Sequence, residues 1–264
     1  MSDVKKLVIY HKACNDGFAA ALAVWLKYPD AEFVAMHYGD ALPDVVGKDV
    51  IVVDFSFERD VVEDLILITN SFLLLDHHKS AVEELAGLPG CHLDMNKSGC
   101  VLAWEHFHPD ELTPRLFDYI QDRDLWRFNL ELTKAACAGL SVQERTFENW
   151  KRLLNDCLEL EEDGRAIYKY KEHCVESFVK KATTRKFLGH DVPVINCTHL
   201  ISAVGNDLAK GHPFAVMYFD TSNERIYSLR SDEDGLDVSV IASHNGGGGH
   251  PHAAAFARPL PRIL

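Results

Sequence analysis

The sequence predicts an α/β protein that begins with a parallel sheet covered by helices on both faces. Short apolar runs recur along the first third of the chain and are typical of buried strands, at 6–10, 32–37, 49–55 and 71–76. The segments Asp16–Lys27 and Phe57–Asn70, which lie between these runs, carry the apolar spacing of helices. Because strands and helices alternate with short links, a parallel sheet is the expected arrangement.

The rest of the chain predicts a connector and a second, smaller α/β domain. A helix is expected over Thr113–Asp124, and the charged stretch 147–186 is expected to be helical throughout. Strands follow in DVPVINC, PFAVMYFD and RIYSLRSD, with helices over Ile201–Lys210 and Asp237–His244. The predicted division is an N-terminal domain over 1–130, a helical connector over 131–186 and a C-terminal domain over 187–264.

Composition indicates a globular protein of a reducing compartment. Hydrophobic residues make up 47% and charged residues 25% of the 264 residues. The opening residues lack the apolar core of a signal peptide, and no run approaches the roughly 20 apolar residues of a membrane helix. The seven cysteines are scattered and form no C-x-x-C pair, which argues against a disulfide framework or a structural zinc site. We therefore expect a cytoplasmic protein with no membrane partner.

The charge balance limits the nucleic acids that the chain could bind. It carries 27 Lys and Arg against 40 Asp and Glu, a net charge of −13. Binding along a duplex requires a basic surface that neutralises many phosphates, so a long duplex is not expected as a partner. Any nucleic-acid substrate should be short and held by a local site and by metal.

Acidic and histidine residues follow several of the predicted strands. His11 ends the first strand and is followed by Asp16, Asp54 ends the third, and Asp76, His77 and His78 follow the fourth. Ligands of open α/β sheets bind beyond the carboxyl ends of the strands. A carboxylate that emerges from an apolar strand is costly unless it is paired or bound to a cation. Taken alone, Asp16 could equally cap the helix that follows it.

The residue types in this group narrow the choice of metal. Carboxylates with some imidazole suit Mn²⁺ or Mg²⁺. Two such ions about 3.5–4 Å apart can stabilise both the attacking and the leaving oxygen of a phosphoryl displacement. The expected cofactor is therefore Mn²⁺ or Mg²⁺, as two ions.

Five segments in order resemble the motifs of the DHH phosphoesterases. LLLDHH resembles the motif that names the family, YHKACNDGFAAALAVW the first motif, VVDFS the second and YIQDRDLWRF the fourth. SLRSD, followed by VSVIASHNGGGGHPHAAAF, resembles the signature of the DHHA1 domain. The family includes RecJ-type exonucleases, nanoRNases, cyclic-dinucleotide phosphodiesterases and family II pyrophosphatases. The resemblance implies a DHH domain in the N-terminal part and a DHHA1-like domain in the C-terminal part.

The resemblance also implies roles for individual residues. His11 and Asp54 would bind one metal, and Asp54 would bridge to a second metal. Asp16, His77 and an acidic residue of the fourth motif would complete that second position. The family's Asp-x-Trp form favours Asp124, with Asp122 as the competing ligand. Asp76 would orient its neighbouring histidine, and His78 would lie against the substrate phosphate.

The first motif departs from the family pattern. Many relatives have two aspartates spaced D-x-D, whereas Cys14 and Asn15 stand before Asp16 in this chain. One carboxylate of the first metal position is therefore missing. Water or Asn15 could complete that position, or it could be empty. Cys14, a softer ligand, could also shift its metal preference.

The glycine run near the C-terminus predicts a substrate-binding loop. Gly247, Gly248 and Gly249 belong to four successive glycines that would let a phosphate approach the backbone N–H groups. The segment Pro251–Ala255 could begin a helix whose dipole adds to this attraction. His250 can donate a hydrogen bond to phosphate, and Arg230 suits bidentate contact with it.

Together these observations predict a metal-dependent phosphodiesterase of the exonuclease type. Its expected substrates are short oligonucleotides, dinucleotides or other small phosphate esters. Two alternatives stay open: a hydrolase of pyrophosphate or other small phosphoanhydrides, and a nucleotide-binding module with little catalytic activity. Assembly into a homo-oligomer is a further open alternative.

Overall fold

The computed structural model describes residues 4–12 and 14–260, and its chain divides into two compact units at Tyr168 and Lys169. This division falls within the segment expected to be a helical connector, and the predicted boundaries at 130 and 186 stay predictions. None of the helices in the described residues is long and apolar enough to cross a membrane.

The first unit begins with alternating strands and helices. Its elements are β1 (Lys6–His11), α1 (Asn15–Lys27), β2 (Glu32–Met36), β3 (Asp49–Val53), α2 (Arg59–Ile68), β4 (Ser71–Asp76), α3 (Lys79–Leu85) and β5 (Cys91–Leu93). Helices follow: α4 (Gly99–Phe107), α5 (Arg115–Asp124), α6 (Thr133–Leu140), α7 (Phe147–Leu153) and α8 (Leu158–Val179), the last of which continues into the second unit. The predicted strands and the first two helices are confirmed within a few residues.

The five strands of the first unit form a parallel sheet in the order β2-β1-β3-β4-β5. Alternate strand residues face opposite sides. Val8 and Val53 pack with α1, α4 and α5, whereas Ile9 and Val52 pack with α2 and α3. The predicted sheet with helices on both faces is therefore confirmed.

The register of the sheet aligns the ends of its central strands. Tyr10 pairs with Val53, and Val53 pairs with Leu75. The residues that come next, His11, Asp54 and Asp76, consequently lie side by side at the carboxyl edge.

The second unit contains a mixed sheet of six strands. Its elements are β6 (Thr183–Phe187), β7 (His190–Asn196), α9 (Ile201–Ala209), β8 (Ala215–Asp220), β9 (Glu224–Arg230), α10 (Val238–His244), β10 (Gly248–His250) and β11 (Ala253–Pro259). The strand order is β10-β11-β9-β8-β7-β6, and only the β7–β8 pair is parallel within the described residues. The end of α8 and α9 cover one face, and α10 packs on the other.

Strands replace the ends of two segments that were predicted to be helical, although α7 and α8 confirm most of the stretch 147–186. The charged stretch expected to be helical as far as 186 leaves the helix at Val179, and Thr183–Phe187 pairs with β7. Leu188 and Gly189 both have positive φ, which is the conformation of a two-residue hairpin turn. The segment Pro251–Ala255 begins no helix, because Ala253–Pro259 pairs with β9 on one side and with β10 on the other.

Asp49 joins the starts of three neighbouring strands and provides a test of the sheet. Its carboxylate accepts hydrogen bonds from Lys6 at 2.8 Å, Asn70 at 2.6 Å and Ser71 at 2.7 Å. Lys6, followed by Asn70 and Ser71, lowers the pKa of Asp49 to about 2.

We expect Asp49→Asn to lower the free energy of unfolding by about 1–2 kcal/mol at pH 7, because it weakens all three contacts. A depressed carboxyl pKa stabilises the fold above the ordinary value of about 3.9, and this stabilisation disappears as the pH falls towards 2. Urea unfolding at pH 7 and at pH 2.5 measures the effect. Asp64→Asn, an exposed change on α2, is the control. An equal loss at both pH values would contradict the explanation.

Candidate metal centre

Seven of the predicted site residues meet at the carboxyl edge of the parallel sheet. Within the described residues, three groups have candidate ligand atoms that all lie within 4.8 Å of one another. The groups are Asp54 with Asp76, His77 and His78; His11 with Cys14 and Asp54; and Asp16 with His77 and Asp124. Asp54 and His77 each occur in two groups, so the three are continuous.

Asp54 lies at the middle of this cluster in an unusual backbone conformation. Its φ is 53°, in the left-handed region that aspartate rarely occupies. Helices α1 and α4 approach it through glycines. A Cβ on Gly99 would lie 2.7 Å from Asp54 Oδ1, and one on Gly17 would lie 3.0 Å from Asp54 Oδ2 and collide with the His11 carbonyl oxygen. Glycine at both positions therefore allows the two helices to pack closely around this carboxylate.

The Asp54 carboxylate is almost completely buried, and neither of its oxygens has a hydrogen-bond partner among residues 4–12 and 14–260. Its polar neighbours are imidazoles, with His77 Nε2 at 3.2 Å and His11 Nδ1 at 3.7 Å. Burial raises the pKa of Asp54, but His11 and His77 outweigh burial and lower the pKa to about 2. A buried, ionised carboxylate without donors is costly unless a cation compensates it. The site therefore fits a bound metal.

The N-terminus of α4 holds Asp16 in place. The backbone N–H of Gly99 donates to Asp16 Oδ2 at 2.6 Å, and that of Cys100 donates to Oδ1 at 2.9 Å. These donors are the free N–H groups of a helix start, which favour a negative charge. Even so, burial, followed by the charges of Asp54 and Asp124, raises the pKa of Asp16 to about 8. A cation bound near Asp16 would therefore favour its ionised form.

His77 lies between three carboxylates. Its Nε2 is 3.2 Å from Asp54 Oδ1, 3.5 Å from Asp16 Oδ2 and 3.5 Å from Asp124 Oδ2. Burial lowers the pKa of His77, but Asp54 and Asp16 outweigh burial and raise it to about 9. In this structure the imidazolium therefore supplies the positive charge that a metal ion would supply instead.

Asp76 contacts the second histidine of the motif. Its Oδ1 lies 2.7 Å from His78 Nδ1 and also accepts the backbone N–H of His77 at 2.7 Å. The other oxygen, Asp76 Oδ2, is buried without a hydrogen-bond partner. The neighbouring histidine that Asp76 orients is therefore His78, whose pKa this contact raises.

The two aspartates at the end of α5 have different surroundings. Asp124 lies in the cluster, and its side chain is 29% exposed. Asp122 points instead at the loop after the helix, where its carboxylate accepts from Asn129 N at 2.7 Å, Leu130 N at 3.0 Å and Thr133 Oγ1. Of the two candidates, only Asp124 is in reach of the other predicted ligands.

The remaining predicted residues lie in the second unit. Ala253 is paired with His250 on one side and with Arg230 on the other, so these three residues form one row across the sheet. Residues directly opposite in antiparallel strands share a face, so Arg230 and His250 project from the same face. The Arg230 guanidinium donates to Ser202 Oγ at 2.9 Å. An arginine and a histidine thus flank a small alanine on this face.

The glycines of the run have structural roles that the sequence did not indicate. The N–H groups of Gly246 and Gly247 donate to Ser243 and Ala242 at the end of α10, so they cap that helix. A Cβ on Gly249 would lie 2.5 Å from the Ala253 carbonyl oxygen, whereas one on Gly248 would meet nothing within 4 Å. Some of the backbone N–H groups that were expected to bind phosphate therefore donate hydrogen bonds within the fold.

Some residues near the metal cluster were not singled out in the sequence. Arg145 Nη2 donates to Asn15 Oδ1 at 2.7 Å, and its guanidinium lies 5.9 Å from the Phe18 ring. Trp126, two residues after Asp124, is 69% exposed. The sequence signal that could have identified Trp126 is the Asp-x-Trp form, in which a tryptophan stands two residues after the candidate ligand Asp124.

No protein-family model matches the sequence. An uncharacterized protein of Acanthamoeba polyphaga mimivirus is 29% identical over 288 residues, which cover 97% of this chain and 68% of that protein. Oligoribonuclease NrnB of Bacillus subtilis is 32% identical over 110 residues, which cover 41% of this chain and 25% of that protein.

A solved structure has the same fold over nearly the whole chain. The pGpG-specific phosphodiesterase PggH from Vibrio cholerae aligns with a TM-score of 0.59 and 14% identity, and the alignment covers 97% of this chain and 94% of that one. Both the oligoribonuclease and this phosphodiesterase are DHH proteins. The ordered motifs of the sequence, the shared fold and these matches are consistent with the resemblance to the DHH phosphoesterases.

Proposed function

We propose that the chain is a metal-dependent phosphodiesterase that hydrolyses short oligonucleotides or dinucleotides. The observation that carries this proposal is the buried Asp54 carboxylate, which has no hydrogen-bond partner and belongs to two ligand groups. A carboxylate with an oxygen available to each group is suited to bridge two ions. The relatives support the substrate class, since one is named as an oligoribonuclease and another as a phosphodiesterase specific for pGpG.

The residues of the first unit divide into two metal positions and one phosphate contact. Asp16, His77 and Asp124 would hold one ion, His11 would hold the other, and Asp54 would touch both. Ions bound there would lower the pKa of a water and neutralise charge on the phosphoryl oxygens. His78 would contact the phosphate, with its ring held by Asp76 through the 2.7 Å contact. In the second unit, Arg230 and His250 would be suited to bind a phosphate group.

An exposed indole favours a nucleotide over pyrophosphate. Trp126 has a φ of 55° and Phe128 a φ of 50°, which are strained conformations for bulky side chains. Asp122 supports this loop, because its carbonyl oxygen accepts from Arg127 N at 2.9 Å and Phe128 N at 3.1 Å. A fixed, exposed tryptophan beside a metal ligand offers a surface on which a nucleobase can stack.

The central test is hydrolysis by the purified full chain with Mn²⁺ or with Mg²⁺. The substrates are a 5′-phosphorylated dinucleotide, a five-nucleotide RNA, a duplex and pyrophosphate. We expect metal-dependent release of mononucleotide from the two short substrates. Asp54→Asn should lower kcat by about a hundredfold or more, because the bridging ligand is weakened. The exposed change Asp64→Asn should leave kcat unaltered.

Two results would replace the proposal by one of its alternatives. Faster turnover of pyrophosphate than of dinucleotide would identify a phosphoanhydride hydrolase. Tight nucleotide binding without turnover under either metal would identify a binding module.

Trp126→Ala tests the stacking surface. We expect KM for the dinucleotide to rise about tenfold, since stacking of a base on an aromatic side chain contributes roughly 1–3 kcal/mol. Trp126→Phe should keep most of the affinity. An analogue of the dinucleotide without its bases separates stacking from misfolding, and its KM should not change in Trp126→Ala. A parallel rise for both substrates would contradict the stacking role.

Comparison of Asp122→Asn with Asp124→Asn distinguishes the aspartate that supports the loop from the aspartate that would bind metal. The two carboxylate oxygens of Asp122 accept three hydrogen bonds, and Asp122→Asn replaces one of these oxygens by an NH2 donor, so it should lower the free energy of unfolding by about 2 kcal/mol. Asp124→Asn should not destabilise the metal-free protein, because burial, followed by the charge of Asp54, already disfavours this carboxylate and raises its pKa. It should weaken Mn²⁺ binding by about tenfold or more.

Urea unfolding without metal and calorimetric titration with Mn²⁺ measure the two effects. The assignment would be reversed if Asp122→Asn weakened Mn²⁺ binding while Asp124→Asn left it unchanged.

A further inference from the structure

Cys14 lies where the missing carboxylate of the first metal position would be expected. It immediately precedes α1, and its Sγ lies within 4.8 Å of the candidate ligand atoms of both His11 and Asp54. His11 ends β1 and Asp54 follows β3, so three separate segments bring a sulfur, a nitrogen and an oxygen together. These three atoms form a group of possible metal ligands that does not require Asn15.

Asn15 has another partner. Its side-chain carbonyl oxygen accepts a hydrogen bond from Arg145 Nη2 at 2.7 Å. It also belongs to a helix that begins at this residue, whereas Cys14 lies before the helix. The amide oxygen that could have replaced a carboxylate is therefore bound to a guanidinium group.

A second observation points to a cation at this position. Asp54 is 1% exposed, both of its oxygens lack a hydrogen-bond partner, and Oδ2 faces His11 Nδ1 at 3.7 Å. His77 Nε2 lies 3.2 Å from Asp54 Oδ1, and a cation between Asp54 Oδ2, the His11 imidazole and the Cys14 sulfur would offset the cost of burial at the other oxygen.

We propose that Cys14 is the thiolate ligand of the ion held by His11 and Asp54. The two metal positions of the site then differ in chemistry. One has nitrogen, oxygen and sulfur ligands and prefers a softer ion such as Zn²⁺, Co²⁺ or Fe²⁺, whereas the position of Asp16, His77 and Asp124 is rich in oxygen and suits Mn²⁺ or Mg²⁺. On binding, the thiol loses its proton to solvent and the sulfur forms the bond to the metal. The proposal rests on the metal centre of the proposed function but not on its substrate.

Cobalt titration of the reduced, metal-free full chain tests the ligand directly. A thiolate bound to Co²⁺ gives a charge-transfer absorption in the near ultraviolet, which carboxylate and imidazole ligands do not give. We expect this band to grow with the first equivalent of Co²⁺ and to be lost in Cys14→Ser. Cys91→Ser removes another partly exposed thiol and should keep the band. Urea unfolding of each metal-free variant shows whether the serine proteins are folded.

Cys14→Asp provides the second measurement because it restores an oxygen ligand. We expect the ratio of Co²⁺ affinity to Mn²⁺ affinity to fall by about tenfold or more relative to the unchanged chain. No charge-transfer band at saturating Co²⁺, or a band that persists in folded Cys14→Ser, would overturn the proposal. Because the spectra are recorded without substrate, a chain that hydrolyses no dinucleotide can still show the band. A chain that hydrolyses dinucleotides can equally lack it, so the two proposals fail separately.

Discussion

The arrangement of the first unit depends on one buried charge. Asp54 follows the central strand β3, and its carboxylate has no hydrogen-bond donor although it is 1% exposed. Several otherwise unrelated features serve to accommodate it: the positive φ of Asp54 and the absence of side chains at Gly17 and Gly99. Strain and close approach of backbone are costs that a protein retains where function requires them. The close packing of α1 and α4 thus occurs around the same carboxylate that is the candidate metal ligand.

The neighbouring carboxylates are stabilised in different ways, so a bound cation would stabilise some of them more than others. Asp16 receives two backbone N–H groups from α4, and Asp76 receives His78 and a backbone N–H. Asp122 is fully engaged by the loop that follows it. Asp54 and Asp124 have imidazole neighbours, and their carboxylates accept no hydrogen bond from a backbone N–H of the described residues. A bound cation would stabilise these two carboxylates most, because the protein gives them the fewest hydrogen-bond donors.

The sequence was sufficient to predict the parallel sheet and the meeting of His11, Asp54 and Asp76, since a run of apolar strands fixes which ends share an edge. It could not choose between Asp122 and Asp124. Residues two apart on a helix point in nearly opposite directions. The rotation of α5 about its own axis therefore determines which aspartate faces the cluster, and packing determines that rotation. The strands β6 and β11 were missed for a similar reason. Charged and alanine-rich runs suit either conformation, and pairing with β7 and β9 determines the outcome.

The glycines of the C-terminal motif have more than one physical role. Gly246 and Gly247 cap α10, and Gly249 lies against the carbonyl oxygen of Ala253, so three of the four glycines are needed by the fold itself. A Cβ would meet nothing within 4 Å at Gly246 or at Gly248, but Gly246 has a positive φ of 80°, which favours glycine there. Any phosphate recognition in the second unit therefore depends less on a cradle of backbone N–H groups than on side chains. The pairing of β10, β11 and β9 places Arg230 and His250 in one row across Ala253, and the two-residue turn of Pro251 and His252 between β10 and β11 holds His250 in that row.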